Sequence, residues 1–171
     1  SVVLRADRDG ERVSAEMLSG NTFDTLGVTP ALGRFFTPAD DTAAAPPVLV
    51  LSDTAWTRFF DRAPDVLGRR VVVNATAMTV VGVARPGFTG IVSNESPAIF
   101  VPITAMPAIR PTWQGLEDRR FRWLQIVGRL APGVDRTAAR AALDVRYKQV
   151  NAHELTAVPA FAALSDQFRT N

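Results

Sequence analysis

The apolar residues of this chain never gather into anything longer than a strand. Runs such as Val48–Leu51 and 71–73 hold three or four residues, and 11 glycines and 12 prolines punctuate the rest. A bilayer-crossing helix needs roughly 18 to 20 consecutive apolar residues, and a coiled coil needs a sustained heptad, so the pattern excludes both within this sequence. What remains is a fold of short strands and short capped helices. The expected class is α+β: a β-rich lobe with short helices plus a partial α/β unit of βαβ type.

Several elements can be placed directly. Residues 2–18 read as a hairpin, with a polar turn at 7–10 and alternation through Val13, Ala15 and Met17. Ser19 or Asn21 caps a short helix, Thr22–Leu26, that ends at Gly27. Val48–Leu51 is uniformly apolar, as a strand buried on both faces requires. Ser52 or Asp53 then caps a helix reaching about Asp61, with Trp56, Phe59 and Phe60 on its apolar side. A second hairpin spans 70–73 and 78–84, followed by a bent loop with Phe88 between Gly87 and Gly90, and by a strand at Ile99–Pro102. After a proline-containing stretch at 107–118, residues 123–130 read as a strand. Asp135 caps a helix over 136–150, with Ala139, Leu143, Tyr147 and Val150 as its buried stripe, and a final strand is expected near 157–161.

The chemistry-bearing residues are few. With 171 residues and 47% hydrophobic content the chain builds a core without staples, and it has no cysteine, which removes thiol catalysis, cysteine zinc sites and disulfides. Net charge is only +2, and all but Lys148 of the 19 basic residues are arginine. No basic block marks a polyanion partner. His153 stands in a polar stretch without a nucleophile motif or metal-ligand spacing, and reads as a surface residue. Phosphate-loop, dinucleotide and zinc-protease patterns are missing, so no cofactor or metal is expected. The acidic pairs Asp40-Asp41 and Glu117-Asp118 read as solvated loops, and Asp53 and Asp135 as helix caps. Arg119 to Trp123 interleaves basic and aromatic side chains; strand alternation explains it more simply than nucleic-acid contact. The acceptor patterns at Asn74 and Asn94 read as turns.

Taken in order, residues 17–28 (MLSGNTFDTLGV), 30–36 (PALGRFF), 48–52 (VLVLS), 56–60 (WTRFF), 66–69 (VLGR), 78–84 (MTVVGVA), 86–88 (PGF) and 100–102 (FVP) resemble the periplasmic core domain of MacB-like ABC transporter permeases. They also resemble the duplicated acidobacterial permeases with FtsX-like membrane segments, and residues 123–143, with LAPGV at 130–134, fit the same family. The resemblance implies a non-catalytic, extracytoplasmic domain of a bacterial inner-membrane permease, inserted between its first two membrane helices. It implies a β-rich lobe at 19–106 and a porter-like α/β lobe drawn from 1–18 and 119–171, with 107–118 as a linker. The upstream part of that porter-like lobe is expected to lie outside this sequence, which reads as a piece of a longer protein. The implied partners are the membrane helices of the same permease and a cytoplasmic ATPase subunit or domain, with a periplasmic adaptor or a second permease half as further candidates, and no nucleic acid. One departure is Asn74-Ala75 at a hairpin where relatives often carry Asn-Gly, which makes a primed turn less secure.

Two other functions stay open at this point. A free-standing extracytoplasmic ligand- or peptide-binding module would use the Phe88 loop with Trp56 and Trp113 and needs a closed apolar pocket. Nucleic-acid binding would use residues 119–123. The partner contact is expected on the loop 88–96, at Phe88, Ile91 and Asn94. The competing placement folds Phe88 back to plug the β-rich lobe.

Overall fold

The computed structural model describes residues 1–6, 10–92, 96–113, 115–116 and 123–157, the last four by their backbone. They fall into two compact units, Ser1–Ile126 and Val127–Asn171.

The first unit is one sheet with short helices, so the mixed α+β class holds. Its strands are β1 (Val2–Arg5), β2 (Glu11–Val13), β3 (Ala15–Leu18), β4 (Pro30–Gly33), β5 (Val48–Leu51), β6 (Arg70–Val73), β7 (Thr76–Ala84) and β8 (Ile99–Pro102). Its helices are α1 (Thr22–Leu26), α2 (Asp53–Phe60) and α3 (Met106–Ile109). The strand order is β2-β1-β6-β7-β5-β8-β3, with β4 paired to β7 beside this path. β3 with β8 and β5 with β7 are parallel; the other pairs are antiparallel. β2 and β3 stand at opposite ends of that order, yet only Ser14 separates them. The sheet therefore curls until its two ends meet in the single segment 11–18.

This curl corrects the hairpin expected over 2–18. Pairing with β1 stops at Val13, and Ser14 hands the chain to β8, its carbonyl accepting from Ala98 N–H at 2.9 Å. β1, β2 and β3 thus hydrogen-bond into the same sheet as the strands of 19–106.

Curling gives the sheet two apolar faces. Leu49 and Leu51 of β5 pack into a cluster with Val71, Val73, Met78, Val80 and Ile99, while Val48 and Val50 enter another with Phe23, Phe36 and Phe100. β5 is buried at all four positions, as its uniform composition requires. Each such side chain contributes roughly 1.5–3 kcal/mol of transfer free energy.

Local signals set the helix ends. Ser52 Oγ accepts from Ala55 N–H at 3.1 Å to cap α2, so Asp53 is the first helical residue and not the cap; its carboxylate instead accepts from Arg62 at 2.8 Å. Gly27 closes α1 in the left-handed conformation. Asn74 opens the β6–β7 turn at φ 56. Its amide accepts from Val3 N–H and donates to the Ile109 carbonyl, bonds that offset the left-handed backbone where no glycine follows. The acceptor pattern at Asn74 is therefore a turn whose amide is engaged. β4, which its Pro and Gly residues hid from pattern reading, approaches β7 so closely that a Cβ on Gly82 would overlap the Arg34 carbonyl.

The second unit contributes α4 (Arg136–Ala157), longer than expected, with Asp135 Oδ1 accepting from Ala138 N–H at 2.8 Å as its cap. Arg136, Arg140, Asp144 and Lys148 face solvent as expected. The stripe expected to be buried faces solvent too: Leu143 is 69% exposed, and Tyr147 and Val150 are also exposed, with only Ala139 half-buried. The strand expected at 123–130 is also absent, because no partner strand lies beside it among the described residues. The strand expected near 157–161 begins inside α4 at Ala157, and its remainder lies outside the described residues.

Candidate functional site

The loop after β7 is built from its backbone outward. Gly87, at φ 83, makes a tight turn in which Phe88 N–H donates to the Arg85 carbonyl at 3.2 Å. That turn sends the Phe88 ring back to the sheet, 5.1 Å from Phe100 and 5.8 Å from Phe23. Phe23 stacks on Phe35 at 3.7 Å and meets Phe36 edge-on at 5.1 Å. Geometries of this kind add about 0.5–1.5 kcal/mol per pair beyond burial.

Glu16 of β3 fastens the other end of the loop. Its carboxylate accepts from Ile91 N–H at 2.9 Å and from Val92 N–H at 3.2 Å. Gly90 is required there: its φ is 86, and a Cβ would overlap the Glu16 carboxylate. Phe88 and Ile91 are half-buried and packed against the aromatic cluster, the plugged placement rather than the displayed one. Asn94 lies outside the described residues.

Beside this loop lies a cleft of about 310 Å³. Its walls are the end of β2 with Ser14, the first turn of α2, residues 87–89 and residues 96–98. Phe59 and Phe88 supply apolar surface. Arg58, over the Phe59 ring at 5.4 Å, pairs with Glu11, and Asp53 pairs with Arg62.

The acidic pair Asp40-Asp41 corrects a sequence expectation, because both residues are structural ties rather than solvated groups. Asp40 takes a two-pronged contact from Arg34 at 2.7 and 2.8 Å, and accepts from Thr37 N–H and Oγ. The Arg34 hydrogen bonds hold its carboxyl well below the usual carboxylate range. Asp41 accepts from Gly20 N–H and from Thr104 N–H and Oγ, joining the turn before α1 to the chain after β8.

The remaining aromatic candidates are also engaged. Trp56 Nε1 donates to the Ala63 carbonyl at 2.9 Å, its ring lies under Arg62, and Trp113 meets Trp123 edge-on at 4.7 Å. His153 is exposed on α4. Residues 117–122, which include Glu117-Asp118 and most of the basic–aromatic cluster, lie outside the described residues. Among the described residues no three His, Cys, Asp or Glu side chains converge on a cation position, and no helix is long and apolar enough to cross a membrane. Sequence reading missed the Glu16 clamp, although Glu16 on the alternating segment 13–17 and Gly90 are its only sequence traces.

The family model of the MacB-like periplasmic core domain matches residues 1–145. The chain belongs to that family. It is therefore the extracytoplasmic domain of a MacB-like ABC transporter permease. The fold is similar to that of the periplasmic region of MacB from Actinobacillus actinomycetemcomitans, at 20% identity and a TM-score of 0.63, over 88% of this chain and 63% of that one. A second similar structure is the extracellular domain of the noncanonic ABC-type transporter YknZ from Gram-positive bacteria, with 16% identity, a TM-score of 0.49, and coverage of 63% of this chain and 52% of that one. The chain thus spans less than two thirds of either solved relative. No curated protein matches it.

Proposed function

We infer that this domain is a non-catalytic coupling element. Cytoplasmic ATP hydrolysis moves the membrane helices of its permease, and the domain passes that motion to a substrate or to a periplasmic partner. The observation that carries the reading is the family match over residues 1–145. The exposed stripe of α4 and the bare segment 123–130 support it, since both suit a porter-like lobe completed by further chain. In this reading the β-rich lobe is 19–106, with the strands of 1–18 hydrogen-bonded into its sheet, and the porter-like lobe draws on 119–171. The partner contact uses the outer rim of the loop bearing Phe88, Ile91 and Asn94, whose inner side is spent on packing.

The test is the full-length gene product. Apolar spans of about 20 residues on both sides, and co-purification with an ATPase subunit or domain, are the expected result. A full-length product with neither refutes the reading. The binding-module alternative required a closed apolar pocket; the cleft found here is open and mixes hydroxyls and guanidinium groups with its apolar walls.

A further inference from the structure

The curled sheet is unzipped in one place. β3 and β8 pair from Ala15 and Ile99 onward, but upstream of Ser14 and Ala98 the two segments diverge, and the cleft occupies the gap. β2 is consequently an edge strand. Val3 gives its N–H to Asn74 Oδ1 at 2.9 Å, and its carbonyl accepts from Asn74 N–H at 2.8 Å. With both main-chain groups of Val3 directed away from β2, its cross-strand partner Arg12 forms the non-hydrogen-bonded pair, and Arg12's own N–H and C=O point out of the sheet at the cleft. An open edge of this kind is a template for an added strand.

The charges beside that edge do not balance. Arg58 is satisfied by Glu11 and Asp53 by Arg62, whereas the exposed Arg12 guanidinium has no acidic partner among the described residues. Alternation puts Val13 on the face turned to Ala55 and Phe59, and Arg12 on the opposite one.

We propose that this edge docks an extended peptide segment with the pattern apolar–acidic–apolar. The acidic residue lies opposite Arg12, pairing main chain to main chain and carboxylate to guanidinium. The flanking apolar side chains turn into the cleft, whose volume suits such small groups and whose far wall is held by the Phe88 turn and the Glu16 clamp. The proposal adds a contact to the transporter reading and does not rest on it.

The test is a titration of the 171-residue chain, followed by amide NMR, with N-acetyl-Phe-Glu-Val-amide. The expected shifts are saturable and centred on Arg12 to Ser14 and Gly87 to Thr89. A peptide N-methylated at Glu binds about tenfold more weakly, the loss of a main-chain contact, and the Gln-for-Glu peptide roughly two- to fivefold more weakly, the loss of an exposed ion pair. Arg12→Glu has the same effect, and Thr54→Trp, at the cleft mouth, serves as a second blocking variant. Four results would overturn the proposal. They are no localised shifts at millimolar peptide, equal shifts with acetate, undiminished binding by the Gln peptide, or undiminished binding to both variants.

Discussion

Replacing Glu16 by alanine should free the loop 90–92 while leaving the sheet intact. Among the described residues the carboxylate receives main-chain donors from Ile91 N–H at 2.9 Å, in a half-buried position, and from Val92 N–H at 3.2 Å, at an exposed one. A hydrogen bond to a charged group contributes about 1.5–3 kcal/mol where water cannot replace it, and little where it can. Val92 regains water, so the cost falls on Ile91, at about 1.5–3 kcal/mol. Since 1.4 kcal/mol corresponds to a factor of ten in an equilibrium constant, Ile91 amide exchange should accelerate roughly 10- to 100-fold. Core amides such as Val80 should keep their relative protection. Glu16→Gln, which retains one acceptor oxygen and no charge, should fall between. Unchanged exchange at Ile91 in Glu16→Ala, or equal acceleration across the whole sheet, would refute the clamp.

Other expectations follow from the packing and charges. Phe23→Ala, at a 1% exposed ring that touches four other phenylalanines, should cost about 3–5 kcal/mol in urea unfolding; a loss under 1 kcal/mol would contradict the aromatic cluster as drawn. Asp40→Asn should cost about 1 kcal/mol at pH 7, a modest figure because Arg34 is 53% exposed. The folded carboxyl is lowered, so its contribution is present above the unfolded value of about 3.9 and is lost as acid titrates it in the native state. Urea midpoints of wild type and Asp40→Asn should therefore converge as pH falls below 4, and a gap that widens in acid would contradict the pairing. Leu143→Ser should change the stability of this chain by no more than about 0.5 kcal/mol, because the side chain is exposed; calorimetry showing a loss above 2 kcal/mol would mean the stripe is already covered.

Much of the first unit was legible because its signals are local. The Ser52 cap, the Gly27 stop and the all-apolar β5 need only neighbouring residues to be read, and the family resemblance was carried by such segments in order. The failures share a cause in partners distant in sequence. Nothing near Ser14 announces that β2 will pair back to β1 while β3 leaves for β8, since uninterrupted alternation fits one strand as well as two. Asp41 looks solvated until Gly20 and Thr104 arrive from elsewhere; Asp40 is the exception, since its partners Arg34 and Thr37 lie within six residues of it. Residues 123–130 have a strand's composition, but a strand requires a neighbour. At the candidate site, the two glycines around Phe88 showed that the loop bends, while the direction of the ring depended on Phe23 and Phe100.

The inferred coupling role makes motion of this domain the quantity to measure. The chain has no cysteine, so one introduced at exposed Thr57 of α2 and one at exposed Arg146 of α4 would carry the only spin labels in this domain. In the full-length permease with its ATPase, freed of other cysteines, pulsed electron spin resonance should give different label-to-label distance distributions without nucleotide and in a vanadate-trapped ATPase state. Identical distributions in both states, in a transporter that hydrolyses ATP, would contradict the account.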